Sequence, residues 1–172
     1  MVTVPNKILP VSHPRPLDRT DATILEALQK NARLSNKELA ARAGLAPSSC
    51  LARVRRLQED GAFLGFHADV DPATLGITVQ AMVAVRLSRH AREQVESFRA
   101  HALSLPEVVA IFHVTGEADY MLHVAVRDLE HLRELTLSAF TTRPEVAHIE
   151  TAVVFEHVRK AALPIYSVEE EA

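Results

Sequence analysis

The clearest chemistry in this 172-residue sequence sits on one short stretch, Pro47-Ser48-Ser49-Cys50-Leu51-Ala52-Arg53-Val54-Arg55-Arg56-Leu57. Wound as a helix at about 100° per residue, it puts Pro47, Cys50, Leu51, Val54 and Leu57 on an inner side. Ser48, Ser49, Ala52 and Arg56 fall on the outer side, with Arg53 and Arg55 as flanks. Small hydroxyls permit close approach to a DNA groove, and guanidiniums reach phosphates or guanine edges. Arginines on an arbitrary helix usually form a solvated face; the serines and the glycine turn ahead of them tip the reading toward DNA. Other reactive types offer less. Cys50 lies on the inner side, where a lone thiol acts as a small hydrophobe. The nine histidines include no H-x₃-H or Cys/His spacing, so no metal site and no cofactor are expected. His113 and His123 are read as structural or ligand-adjacent, with His123 on a sheet surface. Glu117 and Asp119 share one loop without a positioned partner, which leaves an enzyme without its acid–base pair.

The elements that position these groups follow from capping and periodicity. Leu17, Asp21, Ile24, Leu25 and Leu28 recur at three- and four-residue spacing, with Asp18 placed to cap, predicting a helix over about 18–32. Ser35-Asn36-Lys37-Glu38 is a capping box that starts a second helix carrying Leu39, Ala40 and Ala43 inward. Gly44-Leu45-Ala46 ends it, and a third helix runs from Pro47 to Asp60, stopped by Gly61. Two helices joined by a short glycine turn, completed by the first, form a helix-turn-helix. Residues 62–70 alternate enough to predict a strand, and Asp71-Pro72 to Leu75-Gly76 a turn. Strands over 78–87, 108–114, 120–126 and 146–155 then interleave with helices over 92–105 and 129–141. The order βαββαβ is ferredoxin-like, with both helices on one sheet face. The other face, with Thr78, Gln80, Met82 and Ala84 against Met121, His123 and Ala125, is too mixed for full exposure and predicts a second chain packed sheet to sheet.

Composition bounds the rest. The chain is 48% hydrophobic and 24% charged, ordinary for a globular protein and far from a disordered one. A single cysteine precludes any disulfide within the chain, and no apolar run or leader-like start is present, so a cytoplasmic protein without membrane contact is expected. Net charge is −3, unevenly spread: +2 over 1–16, +2 over 17–62 and −7 over 63–172. A basic front on an acidic back is the asymmetry expected when only one part meets an anion.

The runs Leu17-Asp18-Arg19-Thr20-Asp21, Ser35-Asn36-Lys37-Glu38-Leu39 and Cys50-Leu51-Ala52-Arg53-Val54-Arg55-Arg56-Leu57, with Gly61, resemble the Lrp/AsnC, or feast/famine, transcriptional regulators. Val114-Thr115-Gly116-Glu117-Ala118-Asp119-Tyr120 resembles their effector loop, and the likeness spans about residues 17–160. It implies a DNA-binding repressor or activator that dimerises through its C-terminal sheet, assembles into an octamer or similar ring, and binds an amino acid between dimers. The resemblance transfers effector contacts to Thr115, Gly116, Glu117, Ala118, Asp119 and Tyr120, and an influence on the response to Ala152, Val153 and Val154. Gly116 would let N–H groups converge on a carboxylate, while Asp119 or Glu117 would neutralise an ammonium. Two positions depart from the family pattern. Ala118 replaces an aromatic, which leaves room and favours a larger apolar or aromatic effector. Ala46 replaces a capping serine, a change that costs about 0.5–2 kcal/mol.

The expected protein is therefore α+β: an N-terminal helix-turn-helix (winged-helix-like) domain plus a C-terminal βαββαβ ferredoxin-like ligand-sensing domain. The expected divisions are a proline-rich arm (1–16), the DNA-binding domain (17–62), a linker (63–77), the effector and oligomerisation domain (78–160) and a tail (161–172). Double-stranded DNA, a small amino acid and further copies of the chain are the expected partners. Ser48, Ser49, Arg53, Arg55 and Arg56 are the expected DNA contacts, with Ser35 and Asn36 at phosphate through the helix-two N-terminus. A stand-alone amino-acid sensor without DNA binding is the alternative, and it leaves the capped helix-turn-helix without a use.

Overall fold

The computed structural model describes residues 16–89 and 91–168, so the expected N-terminal arm lies, except for Pro16, outside the described residues. The chain divides into two units, one built from the N-terminal part through Ala68 together with the segment from Val158, the other from Asp69–His157.

In the first unit, α1 (Arg19–Lys30), α2 (Asn36–Ala43) and α3 (Pro47–Glu59) enclose a core of Ile24, Ala27, Leu28, Leu39, Ala40, Cys50 and Leu57. The caps are those the sequence predicts. The Asp18 carboxylate accepts from Asp21 N at 2.7 Å, and both halves of the Ser35–Glu38 capping box form. Gly44 takes the left-handed φ of 66° that ends α2, and the following Leu45 N–H donates to Ala40 O at 2.9 Å. Ala46 caps α3 without a side-chain bond, while Pro47 at the first turn supplies a preset φ. Within the expected tail, Leu163 N donates to Gln29 Oε1 at 2.8 Å and Ser167 O accepts from Leu17 N at 3.2 Å, so this segment lies along α1.

The expected strand over 62–70 is not formed. Alternation marks a segment suited to pairing, but a strand needs a neighbour for its N–H and C=O groups, and none of the described strands pairs with it. Leu64, Phe66 and Val70 are left exposed. The turn that follows is present as a 3₁₀ turn, Pro72–Leu75, closed by Gly76 at φ 76°.

The second unit runs β1 (Val79–Leu87), α4 (Arg92–Ser104), β2 (Val108–His113), β3 (Tyr120–Val126), α5 (Leu129–Leu135) and β4 (Val146–Val153). The sheet order is β2-β3-β1-β4 with every pair antiparallel, the ferredoxin-like arrangement. Helix α5 continues as a π-helical turn, Thr136–Thr141, where Ser138 Oγ donates back to Glu134 O at 2.6 Å and Thr136 Oγ1 to Leu132 O. Phe98 centres the core at 5.2 Å from the Tyr120 ring and 6.3 Å from Phe140, over Ala81, Val83, Val85, Leu122 and Val124. The alternate residues Gln80, Met82, Ala84, Met121, His123 and Ala125 form the opposite, partly exposed face. There the His123 ring bonds Gln80 Oε1 at 2.8 Å and meets His157 edge-on at 5.7 Å. Burial, and then the neighbouring His157, push His123 below the usual histidine range.

Candidate functional site

Each unit carries its own candidate surface. In the first, Ser48, Ser49, Ala52 and Arg55 are exposed along α3, as a surface for DNA requires. Two expected inner residues are exposed as well: Pro47, because the first turn stands beyond the core, and Leu51, at 40%, because it sits about 100° from the Cys50–Val54–Leu57 stripe that packs inward.

The arginines divide differently from the helical wheel. Arg56, expected on the outer face, instead reaches sideways to α1, its Nη2 3.2 and 3.3 Å from the two Asp21 oxygens. Arg53 Nη1 lies 2.5 Å from Asp18 Oδ2 and 2.8 Å from Asp21 Oδ1. Asp21 is wholly buried, so its charge must be compensated from within the fold, and two long side chains are drawn off the outer face to do it. An aspartate inside the apolar period of α1 was the available sequence clue, since a buried acid calls for a cation. Of the three arginines only Arg55 is exposed.

Ser35 and Asn36 also have structural employment. The Ser35 hydroxyl donates to Glu38 Oε2 at 2.7 Å and accepts from Glu38 N, and this hydroxyl holds the Glu38 carboxyl below its usual range. Asn36 Nδ2 donates to Pro47 O at 2.8 Å, tying the start of α2 to the start of α3. Partial burial works against ionisation of Asp18, but the Arg53 guanidinium and the Asp21 N–H together outweigh it and leave its carboxyl below the ordinary 3.8. A carboxylate depressed by folding stabilises above its unfolded value, and that contribution is lost as pH falls through the folded one. Asp18→Asn is expected to flatten the stability loss of the chain below about pH 4, read as thermal midpoints between pH 7 and pH 3; an unchanged acid slope would remove Asp18 from the linkage.

In the second unit the loop between β2 and β3 divides into an exposed tip and a buried root. Thr115, Gly116 and Glu117 are exposed and Ala118 is half-buried. Asp119 is turned inward: its Oδ2 accepts from Leu87 N at 2.7 Å, and its backbone ties to Val85 and Val114. Tyr120 is 1% exposed, stacks on His113 and donates its hydroxyl to Val95 O at 3.1 Å. Both side chains thus bond within the fold, and they sew the loop root to the end of β1 and to the core.

Ala152, Val153 and Val154 are not gathered at this loop. Ala152 pairs with Met82, four residues along β1 from Arg86 and so about 13 Å away. Val153, opposite Ala81, faces the helix side, and Val154 N donates to Gln80 O. Strand β4 instead brings His148 opposite Arg86 and Glu150 opposite Ala84. With Glu117 and Ala118 these four line a cavity of about 60 Å³ on the open sheet face. Arg86, His148 and Glu150 were missed by sequence reasoning; their shared face depends on the β1–β4 register, which no local pattern reveals. A larger, shallow cavity of about 290 Å³ lies on the helix side among Glu93, Gln94, Ser97, Pro144 and Glu145, where the nearby cation, Arg143, is already paired with Glu145 at 2.5 Å.

Gly116 holds φ 123° with open space where a Cβ would stand. Gly116→Val is therefore strained by backbone alone, at about 1–3 kcal/mol. Amino-acid binding is expected to weaken at least about tenfold while DNA binding at low salt is retained; titration calorimetry showing unchanged affinity would take the loop tip out of the site.

Comparison with known proteins bears on both surfaces. The family model described as Lrp/AsnC ligand binding domain matches residues 80–163, and one described as winged helix-turn-helix DNA-binding matches 17–62. The chain is 44% identical over 148 residues to the HTH-type transcriptional regulator AldR of Mycolicibacterium smegmatis, covering 86% of each. It is 38% identical over 145 residues to the leucine-responsive regulatory protein of Salmonella typhimurium, covering 84% of this chain and 88% of that one. Among solved structures, a transcriptional regulator of Neisseria meningitidis in complex with L-Met superposes with a TM-score of 0.81 at 33% identity, over 86% of this chain and 96% of the other. Escherichia coli AsnC does so with a TM-score of 0.77 at 28% identity, over 87% and 99%.

Proposed function

Because the chain belongs to the Lrp/AsnC family of transcriptional regulators, we propose that its α3 face reads an operator while an amino acid at the Glu117–Ala118 cavity modulates that binding. The observation carrying the DNA half is the row of exposed small residues and one exposed cation, Ser48, Ser49, Ala52 and Arg55, on the helix that follows the glycine turn. Arg53 and Arg56 hold α3 against α1 and set its angle, with their outer edges left for phosphate.

The effector half rests on a cavity holding both signs of charge, which suits a zwitterion. The Neisseria regulator bound to L-Met makes an amino acid the natural class. Assembly as a homodimer, and of dimers into an octamer or similar ring, is supported by the open sheet face, where Met82, Met121, Ala125 and the exposed Phe112 lie side by side. The unpaired segment 62–70 is a second place for a partner strand. A two-fold dimer would place two α3 helices in successive major grooves of an imperfect palindrome. The protein acts as a regulator rather than an enzyme, in the cytoplasm where its DNA lies. No described helix is long and apolar enough to cross a membrane.

The test is fluorescence anisotropy of the full chain on DNA from upstream of its own coding sequence and on random genomic fragments, with and without each common amino acid. Sequence-preferring binding shifted by an amino acid supports the reading. Absence of binding to every fragment at low salt overturns it in favour of a stand-alone sensor.

A further inference from the structure

Within that reading, the cavity on the open sheet face has a charge pattern that selects among amino acids. Arg86 and Glu117 have no ion-pair partner among the described residues, and Glu150 meets only His148, at 3.4 Å. The cross-strand pairs Arg86↔His148 and Ala84↔Glu150 fix these groups on one side of the sheet, with Glu117 and Ala118 closing the cavity from the loop. The cavity thus brings together one guanidinium and two carboxylates around the methyl groups of Ala84 and Ala118, with the His148 ring beside Glu150.

From this arrangement we infer that the effector is a dibasic amino acid, one with a second cationic group on an aliphatic stem. The guanidinium of Arg86 matches an α-carboxylate, which a planar fork can hold bidentately. One of the two glutamates then meets the α-ammonium. A zwitterion with a neutral side chain would leave the other glutamate uncompensated as the site closes against a second copy, a costly state for a desolvated carboxylate. A side-chain cation removes that charge, while the methyl groups of the two alanines give the methylene stem an apolar surface to lie on. The vacancy created by Ala118 is thus walled by acids, and the sequence-based preference for a large apolar or aromatic effector gives way to a charged one.

The inference rests on the proposed effector role of this cavity, and the experiment separates the two. Titration calorimetry of the full chain at pH 7.5 compares L-lysine, L-ornithine and L-arginine with their neutral counterparts L-norleucine and L-citrulline, and with L-leucine, L-methionine and L-phenylalanine. At least one dibasic amino acid is expected to bind ten or more times tighter than its neutral counterpart. Glu150→Gln should collapse that ratio toward one, with helix and strand content unchanged by circular dichroism; if that variant does not fold, Glu117→Gln on the exposed loop gives the same readout. Tighter binding of a neutral amino acid, or a ratio unmoved in every folded variant, overturns the dibasic assignment and leaves the effector role standing. Binding of none of these amino acids overturns both.

Discussion

Arg53→Ala is expected to lower the stability of the helix-turn-helix unit by about 3–5 kcal/mol, the usual effect of stripping a partner from a buried ion pair. Asp21 is fully buried, and Arg53 approaches it at 2.8 Å, closer than Arg56 at 3.2 Å. Without Arg53 the carboxylate loses this 2.8 Å contact, and Asp18 loses its 2.5 Å partner as well. Urea unfolding of the full chain, followed by far-ultraviolet circular dichroism, reads this as an early transition assigned to the first unit. Arg53→Lys is expected to recover only part, since a single ammonium cannot fork across two carboxylates. An Arg53→Ala midpoint within experimental error of the parent would mean that Asp21 is satisfied without it. The consequence for DNA work is direct: loss of DNA binding in Arg53→Ala reports folding first, so the diagnostic contact variant is Arg55→Ala.

Operator affinity is expected to fall steeply with salt. A dimer making six to ten phosphate contacts loses about 10³–10⁵ in affinity between 50 and 200 mM salt, because each neutralised phosphate releases condensed counterions. Arg55 is exposed on α3, away from the Asp21 network, and would appear once in each protomer of the proposed dimer. Arg55→Ala should therefore reduce the slope of log K against log salt by roughly 0.9 per protomer, without moving the unfolding midpoint or amino-acid affinity. A salt slope equal to that of the parent protein would place Arg55 outside the phosphate contacts. A flat salt response of the parent would remove phosphate neutralisation as the source of binding altogether.

These two variants also mark where the sequence was sufficient and where it was not. The helices, their caps and the order of strands were legible because each depends on neighbours within a few residues: Asp18 on Asp21, Ser35 on Glu38, Gly44 on its own φ, and the alternation in 79–87 on a sheet with one face covered. The class of the molecule followed from the same local marks in series, a helix-turn-helix ahead of a βαββαβ unit. The strand expected over 62–70 failed because pairing is a property of two segments, and none of the described strands pairs with this one.

The candidate sites were legible only as far as they were local. Ser48, Ser49 and Arg55 stand exposed on α3, because none of the described residues far along the chain competes for them. Arg56 departed from the wheel, and Arg53 turned from its flank toward α1, because Asp21, more than thirty residues earlier, lies buried within their reach. In the loop between β2 and β3 the tip is exposed, whereas Asp119 and Tyr120 bond to Leu87 and Val95 across the sheet and helix. The β1–β4 register then set Arg86, His148 and Glu150 beside Glu117. By itself the sequence determined the helices, their caps, the order of the paired strands and what kind of regulator they build, since capping, turns and periodicity act over a few residues. Only the tertiary structure decided which charged side chains support the fold and which remain for a ligand, because that choice depends on burial and register between segments far apart in the chain.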